Sequence, residues 1–392
     1  MRPKGEPPDN RNVVFLGLVS FFTDLSTKMV YPLLPLYLTA VFGVTPLLIG
    51  VIEGFVDSLA ELLKVFSGRL SDGAKKKKPL AFSGYATGVI YKVILIFAGS
   101  WVGIFLAKAI DRLGKGIRTT PRDMLIADSS EKKTLGKSFG LQKMLDKAGS
   151  ALGILIAYFL LVSGVESFRT VFLISIIPAV LGLCMFFFIK ERTSGKLQKA
   201  KERPPFFASL KLMDGRLKLY LLVVFIFTLG SSSDVFILLR AQSLGFSDSS
   251  VILLFFVLTL FASIVAIPIG KFSDRLGRKA FLAIGYLLFS VTYLGLAAGS
   301  SDALVIGMFL LYGAHIAMIS VAQRAFVVEL APDKLKGTLL GLTATVSGLV
   351  LLPANILAGI LWDAFSPAAP FAFGAITSLL AALILIVFLR KV

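Results

Sequence analysis

Charged side chains stand in this chain where an apolar segment should carry none. In the stretch FFTDLSTKMVYPLLPLYL, residues 21–38, Asp24 and Lys28 interrupt an otherwise oily run. They are four residues apart and share one helical face. A charge at the centre of a bilayer costs at least ~2.5–3.5 kcal/mol on insertion scales, so each one needs a partner or a task. Two readings fit the pair. Asp24 and Lys28 can be a permanent structural pair. Alternatively, Asp24 lies about eleven residues, or ~16 Å, into the run. It can then load and release a proton as water and cations come and go around it. Lys28 and Tyr31 are candidates to touch a bound molecule. Pro32 and Pro35 follow and predict a kink.

Two further segments carry stripes of charge. GVIEGFVDSLAELLKVFSG, residues 50–68, places Glu53, Asp57, Glu61 and Lys64 within an ~80° arc of a helix. FLAKAIDRLGKGIRTTPRD, residues 105–123, lines up Lys108, Arg112 and Lys115, with Asp111 beside them. Counted at ~1.5 Å per residue, Glu53 and Lys108 reach one depth, as do Asp57 and Arg112, and Glu61 and Lys115. An acidic stripe is therefore matched by a basic one, and a ladder of ion pairs is expected. Asp57 and Arg112 join Asp24 as proton-coupling candidates. Lys92, Lys143, Asp146 and Lys147 are further charges in the first half. The second half is sparser, and Asp234, Arg240, His315 and Asn355 are its candidates for a substrate cavity. No metal site and no cofactor is expected. TLGKSFG has Glu131 where a phosphate loop needs its first glycine, so ATP hydrolysis is not expected.

These residues are positioned by an apolar scaffold. The 392 residues are 56% hydrophobic and only 16% charged, with mean hydropathy +0.85. Apolar runs long enough to span a bilayer as helices recur along the chain. Spans are expected at about 13–40, 46–67, 80–99, 101–123, 138–163, 168–189, 218–240, 249–271, 280–299, 303–327, 337–361 and 369–390. The polar opening MRPKGEPPDNRN precedes a run too long for a signal-peptide core, which reads as a retained first helix. The net charge of +18 does not indicate nucleic-acid binding, because the basic residues cluster at the ends of apolar runs. Lys75–Lys78, the stretch 190–218 and Lys271 to Lys279 all fall in even-to-odd connections. By the positive-inside rule those connections and both termini are expected to be cytoplasmic. A single cysteine, Cys184, and the lack of an N-x-[ST] sequon fit a prokaryotic inner membrane.

The chain also repeats itself. GRLSDGAKKKKPL, 68–80, aligns with GKFSDRLGRKAFL, 270–282, pairing Gly68 with Gly270, Asp72 with Asp274 and Leu80 with Leu282. Gly43 pairs with Gly245 and Arg122 with Arg324 at the same offset. Two six-span halves, 1–190 and 218–392, are expected on either side of a charged linker, 191–217. Such duplication marks secondary transporters. Over essentially its whole length the sequence resembles the major facilitator superfamily, whose motif between spans 2 and 3 runs G-x-L-a-D-R-x-G-R-[RK]. The second copy matches through Gly270, Asp274, Arg275, Gly277, Arg278 and Lys279. The first keeps Gly68 and Asp72 but has Gly73 and Lys75 where Arg and Gly are expected.

The resemblance implies an all-α membrane fold of twelve transmembrane helices in two six-helix bundles related by a pseudo-two-fold axis. It also implies alternating access, with the duplicated motif as a conformational latch. Arg112-x-x-x-Gly116 resembles the superfamily's span-4 motif, whose arginine is tied to proton coupling. AGSALG, 148–153, stands where antiporters carry G-P-x-x-G-G, and it lacks the proline. The expected function is secondary transport of a small organic molecule, as proton-coupled export by a monomer. Uptake or facilitated movement of a polar metabolite or organic anion is the alternative. A membrane sensor that does not transport is a third reading.

Overall fold

The computed structural model describes residues 10–73, 77–130, 135–163, 167–191, 215–330 and 336–388. All regular structure among them is helical. Span 1 comprises α1 (Asn10–Val30) and α2 (Leu33–Phe42). Spans 2 to 5 are α3 (Pro46–Gly73), α4 (Lys78–Phe97), α5 (Trp101–Ser129) and α6 (Leu135–Val162). Span 6 is α7 (Phe168–Cys184) with a 3-10 turn, Met185–Phe188. Span 7 is α8 (Gly215–Gly230) with α9 (Asp234–Ser243). Spans 8 to 12 are α10 (Asp248–Leu276), α11 (Arg278–Ala298), α12 (Asp302–Leu330), α13 (Lys336–Ala364) and α14 (Ala369–Phe388). Ten of these twelve spans contain a stretch apolar enough to cross a membrane by composition alone. The other two are α3 and α5, the helices that carry the charge stripes.

The first span breaks between Val30 and Leu33. Pro32 has no N–H to donate and disfavours a helical residue before it. Span 7 breaks at Ser231–Ser233, within a run that reads as continuous from its hydropathy. The reason is local. Ser233 caps α9 by accepting from the Val235 N–H at 3.5 Å, and Asp234 sits in its first turn, where the helix dipole favours an acid. Gly43 and Gly245, paired in the repeat, both have positive φ, 59° and 97°. Each turns the chain after the first span of its half, in a conformation that glycine adopts without strain.

The contacts divide the chain into two compact units, Met1–Phe42 with Leu59–Lys201, and Gly43–Ser58 with Glu202–Val392. In the first, α1 packs on α6 and α7, and α4 packs on α5 and α7. In the second, α8 packs on α13 and α14, and α11 packs on α12 and α14. The second set repeats the first, six spans on. The second unit also includes the start of α3, where Gly50 and Gly54 meet the backbone of Asn355 and Leu352. Phe97, Phe187 and Phe365 are more than three-quarters exposed at 81%, 78% and 76%, as suits side chains facing lipid rather than water.

The lysine run has a structural role beyond its charge. Lys77 supplies no side-chain cap to α4. Glu191, at the end of span 6, accepts from the Lys77 and Lys78 N–H groups, the latter at 3.0 Å. Lys77 Nζ pairs with Asp128 at 2.6 Å, and Lys78 Nζ donates to the Ile189 carbonyl at 2.6 Å. Asn12 exchanges two bonds with the Lys190 backbone, at 2.8 and 3.0 Å. One end of the unit is thus tied together across spans 1, 3, 4 and 6. Glu191→Ala leaves two N-terminal amides of α4 without their acceptor. It is expected to lower stability by about 1 kcal/mol, read as a lower melting temperature in detergent. An unchanged melting temperature would show that the tie contributes nothing.

Candidate functional site

The interior charges of the first unit gather along two seams. The first joins α1 to α6. A Cβ on Gly149 would run into the Phe21 carbonyl, and one on Gly153 into that of Leu25, so the two backbones touch. Gln142 Nε2 donates to Ser20 Oγ at 3.0 Å, and Ser150 Oγ donates to Asp24 Oδ2 at 3.2 Å. Asp24 therefore points from α1 to α6. Asp146, one turn after Gln142 and one turn before Ser150, shares the face of α6 that these two turn to α1, and pairs with Lys143 at 3.0 Å. Lys28 places its ammonium over the Tyr31 ring, 4.2 Å from the centroid.

The second seam joins α4 to α5, where Gly84 and Gly114 let the helices approach. Lys92 is fully buried and donates to the Gly88 carbonyl at 3.1 Å. Arg118 donates to the Gly84 carbonyl at 3.2 Å, lies 3.9 Å from Asp111 and packs over the Tyr85 ring at 4.8 Å. Between the seams is a narrow cavity lined by Thr27, Tyr31, Leu34, Tyr91, Lys108, Asp111 and Arg112. Arg112 thus lines the cavity, while Arg118, six residues on, is buried in the seam. Asp57 is half-buried on α3.

The second unit holds the remaining candidates. Asp234 accepts from Tyr312 Oη at 2.8 Å. Arg240 donates to the carbonyls of Leu296 and Ala297, both at 2.9 Å, and so satisfies the last turn of α11. His315 bonds through Nδ1 to the Gly285 carbonyl at 2.8 Å and stands 4.9 Å from the Phe289 ring. Asn355 is fully buried, accepts from the Ser233 N–H at 2.7 Å and donates to the Leu351 carbonyl at 2.8 Å. Asn355 thus ties the break in span 7 to α13. The side chains of Asp72, Asp274 and Arg275, with Gly68 and Gly270, lie outside the described residues. Arg278 opens α11 and is half-buried.

Helical spans in two repeated units, with charged side chains buried inside them, are the features of a membrane transporter. The profile of the Major Facilitator Superfamily matches residues 16–240 and again 219–392, and the chain belongs to that family. It is 36% identical over 383 residues to an uncharacterized MFS-type transporter of Methanocaldococcus jannaschii, covering 96% of this chain and 94% of that one. A 150-residue stretch is 27% identical to the multidrug resistance protein MdtH of Photorhabdus laumondii, covering 38% of this chain and 36% of that protein. The fold matches a crystal structure of nucleoside transporter NupG with TM-score 0.83 at 12% identity, covering 96% of this chain and 100% of that one.

Sequence reasoning singled out Asp24 but not its neighbours on α6. Asp146 and Ser150 are four residues apart and so share a helical face. That spacing was the available signal. Arg118 carried no motif, and only its place opposite Gly84 sets it apart.

Proposed function

We propose that this MFS transporter exports a small organic molecule in exchange for protons, with Asp24 as the coupling carboxyl. The observation that carries this reading is Asp24 itself. It is an acid within an apolar span, held by Ser150 on α6. Such a group can be charged or neutral as its surroundings change, which lets a proton gradient drive the cycle. The partial likeness to a multidrug resistance protein supports export. The charge asymmetry of the connections supports a cytoplasmic membrane with both termini inside. The protein is proposed to act as a monomer. An organic anion is the second reading of the substrate, favoured by Lys108 and Arg112 in the cavity wall. A thermal-shift screen of metabolites and drugs on purified protein, followed by flux with and without a pH gradient, tests both. Stabilisation by organic anions alone would favour the second.

The duplicated motif is proposed as the latch between conformations. Asp72→Asn and Asp274→Asn are expected to shift the balance of inward-open and outward-open forms. Single cysteines on the periplasmic side would then label faster or slower than in the parent. If both variants label at the parent rate, the latch is wrong.

A further inference from the structure

We propose that Asp24 and Asp146 act as one unit, an acid pair across the α1–α6 seam that carries a single proton through the transport cycle. This rests on the coupling role of Asp24 proposed above and deepens it.

The seam makes the pair. Gly149 and Gly153 hold α6 against the Phe21 and Leu25 backbone, which fixes Asp24 beside Ser150 and places Asp146 just before the contact. Ser150 gives its hydroxyl to one oxygen of Asp24. Asp146 stands on the same face of α6, one turn from Ser150 and one turn from Gln142, which bond Asp24 and Ser20 of α1. Two carboxyls so placed cannot both be ionised without strong repulsion, and one proton between them turns repulsion into a hydrogen bond.

Cations face the pair from each neighbouring helix that carries them. Lys28 lies on α1, Lys92 on α4, Lys115 and Arg122 on α5, and Lys143 on α6. Helix α7 meets α1 here through Ser26 and the Ser175 carbonyl. With its proton the pair carries one negative charge. Without it the pair carries two, and the second is balanced by Lys143, already bonded to Asp146 at 3.0 Å, and by Lys115. The proton enters from water on one side of the membrane and leaves to water on the other, so one proton crosses per cycle. Asp146 is a partner that keeps the proton with Asp24, and Lys143 sets how firmly it is kept.

Infrared spectroscopy of the full-length protein in lipid, titrated across neutral pH without any substrate, tests this. The parent is expected to show a carboxylic-acid carbonyl band that titrates as one proton. The band should be lost in Asp24→Asn and equally in Asp146→Asn, and kept in Asp146→Glu. If Asp146→Asn keeps the parent band and midpoint while Asp24→Asn loses it, the pair is overturned and Asp24 acts alone. If the band is unchanged in Asp24→Asn, or absent from the parent, the coupling reading falls as well. Should Asp146→Asn fail to fold, Lys143→Gln keeps both acids and must move the midpoint. An unmoved midpoint there overturns the pair.

Discussion

Asp24→Asn is expected to abolish transport driven by a pH gradient while leaving substrate binding and exchange intact. Driven accumulation should fall to the level measured without a gradient. Asparagine keeps the shape of the side chain and an oxygen for Ser150, but it cannot exchange a proton. The competing view makes Asp24 a fixed partner of Lys28, four residues on. Asp24 also has a partner on the neighbouring helix. Its carboxyl is bonded to Ser150 on α6, while Lys28 packs over Tyr31. A double change, Asp24→Asn with Lys28→Met, separates the two views. As a fixed pair, the double variant should recover stability and driven transport together. As a coupling carboxyl, it should recover stability at most. Full recovery of driven transport would end the coupling account.

Gly149→Leu is expected to prevent stable assembly of the first unit. Any Cβ at this position meets the Phe21 carbonyl carbon at 2.8 Å and its Cα at 2.9 Å. These are backbone atoms, which a rotamer change cannot move aside. The loss should lie at the upper end of the ~1–3 kcal/mol that overpacking brings, or beyond it. Gly153→Leu should behave likewise, because Leu25 presents the same backbone. Gly140→Ala is the control on the same helix, where an added methyl meets nothing within 4 Å. It should be neutral or slightly stabilising. Melting temperature and monodispersity in detergent measure all three. Equal behaviour of Gly140→Ala and Gly149→Leu would mean that the close approach is unimportant.

Much of this architecture was legible from the chain. The spans follow from apolar runs, and the repeat follows from paired glycines and aspartates. Pro32 announced the break in span 1, because it lacks an amide donor and disfavours a helical residue before it. The break in span 7 was hidden, because Ser231–Ser233 sit inside a run whose mean hydropathy remains high. Asp24 stood out because an acid in an apolar span is costly. Asp146 did not, because it lies near the end of its span among lysines. Its importance depends on which helix α6 meets. That contact is set by Gly149, Ser150 and Gly153, residues first read as an incomplete motif. Arg240 and Asn355 looked like ligands for a bound molecule. Their bonds to backbone carbonyls and to the Ser233 amide depend on helix ends that hydropathy does not locate. The lysine run was explained by topology, yet Lys77 reaches Asp128 and Glu191, residues 51 and 114 positions away. No local pattern foretells bonds of that range.

Proton movement during transport tests the central claim most directly. The full-length protein would be reconstituted into liposomes with a pH-sensitive dye trapped inside. A compound that stabilises the protein in the thermal screen would then be supplied under an imposed pH gradient. The account predicts that the compound accumulates against its own gradient, that the dye reports protons moving the opposite way, and that both stop when an ionophore collapses the pH difference. Accumulation at the same rate with and without the gradient, and a silent dye, would contradict it.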